Sequence, residues 1–255
     1  MGDTDRGTHV TALAGDIRRA DRVVAFTGAG VSTASGIPDF RGESGLWERY
    51  DPEQFHIRAF ERDPGSFWET MVGVYEEAFG VDAEPNPAHE ALAEMERAGV
   101  LEGVVTQNAD RLHQQAGTEN VIELHGNLRE AVCQSCAQRE PLSESIDRAR
   151  EGDLPPRCRD CGGVVKPAGV LFGEQLPEHA LYRAHALAEK ADVFLAAGSS
   201  LSVEPAASLP TTAADRGATL AIVNLDPTPV DANADYTFRA DVTEVLPRLA
   251  DELTE

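Results

Sequence analysis

The chain's only four cysteines are arranged as Cys133-Gln-Ser-Cys136 and Cys158-Arg-Asp-Cys161, with 21 residues between the pairs. Each C-x-x-C can set two thiolates on one turn, and the two turns can then meet on a single tetrahedral ion. The second pair runs into Gly162-Gly163, which lets its turn close. Zinc held by four sulfurs has no open position, so it would be structural and would oblige residues 133–161 to fold back on themselves. Two disulfides and a redox C-x-x-C are the alternatives. An intracellular compartment disfavours the first, and the second would need only one pair.

Around this segment the hydrophobic pattern alternates between strands and helices. Val23-Val24-Ala25-Phe26 is a short apolar run entering a Gly-rich turn, and Val10 to Ala20 before it has helical spacing. Asn86-Pro87 opens a helix over Ala88 to Ala98 that Gly99 ends. Gly103 to Thr106, Val121 to Leu124, Asp192 to Ala197 and Ala218 to Val223 read as further buried strands. The last two follow helical stretches, at Glu178 to Lys190 and Pro205 to Arg216. This alternation predicts an α/β fold with a Rossmann-like, doubly wound parallel sheet.

Two segments break the rhythm. Tyr50 to Gly80 is aromatic-rich and helical in period, and Cys133 to Lys166 carries the cysteines. Both read as insertions that pack into a smaller inserted domain, a zinc module plus a helical module. The expected division is a large domain at 1–47, 81–128 and 167–255, a helical module at 48–80 and a zinc-binding module at 129–166.

The charge balance narrows the environment. There are 22 Lys plus Arg against 44 Asp plus Glu, a formal net charge of -22, and only Lys166 and Lys190 are lysines. The acidic residues are spread along the chain, as on a globular acidic surface. Self-repulsion of that size is screened in molar salt, where the Debye length is about 3 Å. The composition therefore suggests a high-salt cytoplasm, as in a halophilic microbe. With no basic patch to displace counterions, direct nucleic-acid binding is not expected. No apolar run is long enough to span a bilayer, and the N-terminus lacks the pattern of a signal peptide, so a cytoplasmic protein with no membrane contact is expected.

After the first strand comes Gly28-Ala29-Gly30-Val31-Ser32-Thr33, and then Asp39-Phe40-Arg41-Gly42. Gly28 and Gly30 allow a tight turn and close backbone approach to a pyrophosphate at a helix N-terminus. The third glycine of the usual dinucleotide fingerprint is replaced by Thr33, and no acid follows a second strand to hold a ribose. What strengthens the reading is the company at the other strand ends. Gln107-Asn108-Ala109-Asp110, His125-Gly126, Gly198-Ser199-Ser200 and Asn224-Leu225-Asp226 each follow a strand on the carboxyl edge of the sheet, where α/β folds bind ligands. In that company His125 becomes a candidate base beside Asn108 and Asp110.

The strings GAGVSTASGIPDFRG, TQNADRLHQQAG, ELHGNL, KPAGVLFGEQLP, GSSLSVEPAA and IVNLDPTP, with the cysteine pairs, resemble the sirtuin family in family order, over nearly the whole chain. The resemblance implies an NAD-dependent protein-lysine deacetylase that moves the acetyl group of acetyl-lysine to ADP-ribose and releases nicotinamide. It implies that the amide oxygen attacks the ribose carbon bearing nicotinamide and leaves an alkylimidate. His125 would be the general base on the ribose hydroxyls, a role suited to an unperturbed pKa of about 6.5.

Asn108 would orient the ribose and a water, Ala109 and Asp110 would hold the carboxamide, and Phe40 would cover the reactive ribose. The resemblance places Ser32, Asp39, Arg41 and Gln107 in the same network, and Gly28, Ala29, Gly30, Thr33, Gly198, Ser199 and Ser200 near the phosphates. Asn224, Leu225 and Asp226 would lie on the adenosine side, with Asp241 and Val242 against the adenine. An acetylated peptide would pair with Val170-Leu-Phe172-Gly173-Glu174 and with Ser202-Val203-Glu204, a backbone mode of limited sequence preference. Lys166 and Gly169 depart from the family's usual Arg and larger apolar residue.

The desuccinylase branch carries a Tyr and an Arg three residues apart where Met71 and Val74 stand here, so the resemblance favours a short neutral acyl group. A mono-ADP-ribosyltransferase or a longer-chain deacylase using the same site is the alternative. A non-catalytic NAD-binding module would be expected had His125, Asn108 or Asp110 been lost.

Overall fold

A computed structural model describes residues 3–42, 45–79 and 83–254. Gly80 and Val81, where the expected helical module ends and the large domain resumes, lie outside the described residues. Among the described residues the strands are β1 (Val23–Thr27), β2 (Gly103–Thr106), β3 (Val121–Glu123), β4 (Glu130–Cys133), β5 (Arg139–Pro141), β6 (Val165–Pro167), β7 (Val193–Ala197), β8 (Thr219–Val223) and β9 (Tyr236–Phe238). They fall into two compact units. One draws on Met1–Ser35, Glu84–Leu124 and Pro177–Glu255, the other on Gly36–Ala83 and His125–Leu176.

The first unit is built on a six-stranded sheet ordered β3-β2-β1-β7-β8-β9, parallel throughout. Counting only its own strands this is the order 3-2-1-4-5-6 of dinucleotide-binding folds, with its reversal between β1 and β7. β1, β2 and β7 are buried at every position, which is why they read as continuous apolar runs and not as alternating ones. Helices Asp3–Ile17, Pro87–Arg97 and Val242–Thr254 share one apolar core with the sheet. Asn86 caps the second of these and Gly99, at φ +76°, follows its end.

β9 and the helix Val242–Thr254 are not among the elements expected from the hydrophobic pattern. The helix signal was there, since Val242, Val245, Leu246, Leu249 and Ala250 form one buried stripe. A three-residue edge strand carries no comparable period. The Gly-rich segment after β1 is a turn, as its sequence suggests, and not the start of an α-helix. It contains two short 3-10 turns, Ala29–Val31 and Thr33–Ser35.

The second unit holds the antiparallel sheet β5-β4-β6. Phe60, Phe67, Trp68 and Met71, from helices Ile57–Arg62 and Pro64–Val74, bury against Ala131, Cys133, Leu142, Ile146 and Val165. The helical and cysteine-bearing segments thus share one core. Trp68 Nε1 donates to the Val165 carbonyl at 2.9 Å, which satisfies the one polar atom of a fully buried indole. No helix of the described residues is long and apolar enough to cross a membrane.

Candidate functional site

The reversal between β1 and β7 fixes where the glycines go. Gly30 N–H donates to the Gly198 carbonyl at 2.8 Å. A Cβ at Gly28 would come within 2.8 Å of Gly198 and Ser199 atoms, and one at Gly30 within 2.9 Å of the Gly198 carbonyl oxygen. Gly28 has φ -126°, an extended conformation open to any residue, so the site demands glycine for close packing of two loops and not for an unusual dihedral. Gly198 itself sits at φ +60°.

Beneath these loops lies a buried polar network. Ser32 Oγ donates to Asp110 Oδ2 at 2.7 Å and accepts from Asn108 Nδ2 at 3.0 Å. Asn108 Nδ2 also donates to the Gly28 carbonyl at 3.1 Å, and its backbone N–H to Thr106 Oγ1 at 3.0 Å. Both amide protons of Asn108 are thereby committed, and its side-chain oxygen is left as the acceptor. Asp110 Oδ1 accepts the Leu112 N–H at 2.9 Å. Ser199 Oγ donates to Gln107 Oε1 at 2.8 Å, tying the loop after β7 to the loop after β2.

Two histidines that the motif reading did not single out complete this network. His89 is the third residue of its helix, and its Nδ1 accepts the Asn86 N–H at 3.3 Å, a capping box with imidazole in place of the usual carboxylate. Its Nε2 faces Ser32 Oγ at 3.4 Å. His113 Nε2 lies 2.8 Å from Thr27 Oγ1, whose own proton goes to Thr106 Oγ1, so Nε2 is the protonated nitrogen. His113 Nδ1 is buried without a partner. The two rings are 4.8 Å apart. Burial drives the His113 pKa down to about 3, with His89 adding to the effect. Burial also takes His89 down to about 4 against the opposing pull of Asp110. Both rings are therefore neutral at pH 7. Asn-Pro-x-His was the sequence signal for His89, and LH within TQNADRLHQQAG the one for His113.

At the far ends of the sheet, Asn224 Nδ2 turns back to the Asp226 carbonyl at 2.9 Å and Leu225 stands 66% exposed. Asp241 Oδ1 accepts the N–H and hydroxyl of Thr243, capping the last helix, while the Val242 side chain is buried in the core. Ser200 Oγ pairs with Ser202 Oγ at 2.8 Å, and both residues are exposed, as is Glu204. Thr33 Oγ1 donates to the Gly30 carbonyl at 3.1 Å.

β3 ends at Glu123, although Leu124 N–H still reaches the Thr106 carbonyl at 2.9 Å. His125 opens the second unit, where its carbonyl accepts the Val170 N–H at 2.9 Å. Gly126 follows at φ +65°, and a Cβ there would come within 2.3 Å of the Ala168 carbonyl oxygen. Phe172 pairs with the segment before helix Ile57–Arg62. Its N–H donates to the Phe55 carbonyl at 3.0 Å, and Ile57 N–H returns to the Phe172 carbonyl at 2.9 Å. Gly173, at φ +81°, lies so close to the His56 ring that a Cβ would approach it to 2.4 Å. Asp39 Oδ1 accepts the Gly42 N–H at 2.9 Å, and Phe40 is 38% exposed.

The four cysteine sulfurs of the same unit all lie within 4.8 Å of one another. Cys133 and Cys161 Sγ are 3.5 Å apart, and Cys136 and Cys158 Sγ 3.7 Å. A tetrahedron with Zn–S of about 2.3 Å has edges of about 3.8 Å, so the spacing suits that ion. Both turns have one design. Ala137 N–H returns to the Cys133 carbonyl at 3.0 Å, and Gly162 N–H to the Cys158 carbonyl at 2.9 Å, with Ala137 at φ 61° and Gly162 at φ 74°. Gly163 is needed for space, because a Cβ there would reach 3.0 Å from Cys133 Sγ. The donor set fits a structural zinc.

Residues 28–205 match the Sir2 family model. The chain belongs to the Sir2 family. A relative named NAD-dependent protein deacetylase, from Haloarcula marismortui, is 52% identical over 97% of this chain and 95% of its own length. NAD-dependent protein deacetylase 1 of Pyrobaculum aerophilum is 53% identical over 98% and 96%. Among solved structures, a Sir2–p53 peptide–NAD+ complex superimposes with a TM-score of 0.86 at 40% identity, covering 94% of this chain and 97% of that one.

Proposed function

We propose that this Sir2 family member is an NAD-dependent protein-lysine deacetylase that transfers acetyl from acetyl-lysine to ADP-ribose. The observation that carries the reading is the buried Ser32–Asn108–Asp110 network at the reversal of the sheet. It fixes an amide oxygen and a carboxylate beside two glycine loops, after β1 and after β7, that pack too closely for any side chain at Gly28 or Gly30. The Asn108 oxygen suits a ribose hydroxyl or a water, and Ala109 with Asp110 the nicotinamide carboxamide. Gly28, Ala29, Gly30, Thr33, Ser199 and Ser200 face the phosphates. Asn224, exposed Leu225 and Asp226 serve the adenosine side. Asp241 and Val242 contribute backbone there, since the carboxylate caps a helix and the valine is in the core.

In the second unit His125 acts as general base on the ribose hydroxyls, and Asp39, Phe40 and Arg41 serve the same cofactor. Its carbonyl bond to Val170 keeps the base in register with the segment that receives the peptide. Both backbone groups of Phe172 are spent on Phe55 and Ile57, so a peptide meets the backbone of Gly173 while Phe172 and Val170 flank the lysine stem. In the first unit Ser202 and Val203 offer the other backbone groups. Met71 and Val74 are buried in apolar clusters, where a succinyl carboxylate would lose its hydration unpaired, so acetyl is preferred. The helical module at 48–80 and the zinc module at 129–166 form the smaller domain of this enzyme.

The test is an acetyl-lysine peptide with NAD, followed by mass spectrometry. Wild type should release nicotinamide and acetylated ADP-ribose in step with deacetylated peptide. His125→Ala should lose that turnover and keep its zinc. Label on protein in place of acetylated ADP-ribose would point to ADP-ribosyl transfer, and undiminished His125→Ala activity would remove the proposed base.

A further inference from the structure

One indole in the second unit backs two aromatic rings that the proposed function assigns to different substrates. The Trp47 ring centroid is 5.2 Å from Phe40, 5.9 Å from Phe172 and 5.4 Å from Phe55. Phe40 and Phe172 are each 38% exposed, although exposed large apolar side chains are few among the described residues. Trp47 behind them is half-buried.

Each ring is also tied through its backbone. Trp47 N–H donates to the Phe40 carbonyl at 3.1 Å and Leu46 N–H to the Asp39 carbonyl at 2.9 Å, so Trp47 is tied to Phe40 through the backbone as well as through the rings. Gly45 permits this approach, since a Cβ there would come within 2.7 Å of the Phe40 backbone. Phe172 is held by the Phe55–Ile57 ladder described above, and Phe55 is Trp47's third aromatic neighbour.

We propose that Trp47 is a positioning residue that couples the two substrates: a lysine stem held against Phe172 fixes the indole, and the indole fixes Phe40 over the NAD ribose. The physical basis is packing. Two rings that share one wall cannot choose rotamers independently, and ordering one reduces the entropy lost in ordering the other. Such coupling is reciprocal, so peptide must tighten NAD by the same factor that NAD tightens peptide. The inference rests on the assignment of Phe40 to NAD and Phe172 to acyl-lysine.

The experiment measures, by calorimetry on the zinc-loaded, full-length chain, the affinity for a carbocyclic NAD analogue whose bond to nicotinamide cannot be cleaved, with and without a saturating acetyl-lysine peptide. Wild type should show tightening of roughly five-fold or more, the lower end of ordinary coupling. Trp47→Leu should bring that factor close to one while each substrate alone still binds, and Trp47→Phe should restore part of it. Trp47 and Trp68 are the only tryptophans. The remaining emission of Trp47→Leu therefore reports whether buried Trp68 keeps its surroundings, and Trp47→Phe decides the matter if the leucine variant is unfolded. Coupling that persists in a folded Trp47→Leu, or is absent from wild type, overturns the proposal. Failure of wild type to bind either substrate overturns the functional assignment instead.

Discussion

Lys166 Nζ lies 3.0 Å from Glu174 Oε2, and the same ammonium donates to the carbonyls of Pro167 at 2.9 Å and Gly169 at 2.8 Å. Three donors meet three acceptors, as a buried ammonium requires. Glu174 Oε2 in turn accepts the Leu171 N–H at 2.7 Å. Burial lowers the Lys166 pKa and Glu174 works against it. One ion pair therefore pins the whole stretch from Pro167 to Glu174, which includes the proposed peptide segment.

Removing one partner of such a pair leaves the other charge stranded. Lys166→Met should cost about 3 kcal/mol of stability by urea denaturation, in keeping with broken buried pairs. The same variant should raise KM for an acetyl-lysine peptide more than KM for NAD. A variant that matches wild type in both measurements would show the pair to be incidental.

The two zinc turns differ in the residue that follows the second cysteine. Ala137 holds φ 61° where the matching position of the other turn is Gly162. A left-handed conformation costs a residue with a Cβ roughly 1 kcal/mol, and Ala137→Gly should recover about that much while leaving one zinc per chain by elemental analysis. Cys158→Ser should lose the ion and, with it, the packing around Ile146 and Val165. Full zinc content in Cys158→Ser would contradict the four-sulfur site.

The neutral histidine pair makes stability depend on pH. His89 and His113 have folded values of about 4 and about 3, below the 6.5 of a free imidazole. Between those limits the unfolded chain binds more protons, so the pair costs nothing above pH 6.5 and stability falls as pH drops below it. The slope is up to about 1.4 kcal/mol per pH unit for each ring. His113→Gln should flatten the unfolding free energy between pH 7 and pH 5 relative to wild type. Parallel curves for the two proteins would mean that His113 is not neutral in the fold.

Net charge makes the chain a polyanion of -22. Raising KCl from 0.1 to 2 M should raise the melting temperature, because screening relieves repulsion among exposed acids such as Glu244 and Asp251. A melting temperature that falls over that range would argue against adaptation to high salt.

Much of this molecule could be read without coordinates. β1, β2, β7 and β8 are buried on both faces, so each survives as an uninterrupted apolar run, and Asn86 and Gly99 mark their helix by local chemistry alone. The cysteine spacing likewise carries its own geometry, down to the turn at Gly162. β9 was not legible, being three residues of edge strand without a period of its own.

Long-range packing decided the rest. The motif suggested that Gly28 and Gly30 face a pyrophosphate, while the fold shows that both are also required by contact with Gly198, some 170 residues on in sequence. His89 and His113 look like ordinary polar residues in the chain, and become a neutral buried pair only when β1, β2 and the helix Pro87–Arg97 converge. Lys166 meets Glu174, and Trp47 meets Phe172, through close approaches that no local period records. The sequence by itself determined the buried central strands, the zinc ligands and the family, because those are written in neighbouring residues. Which buried groups are charged, and which rings share a wall, depended on distances that only the folded chain sets.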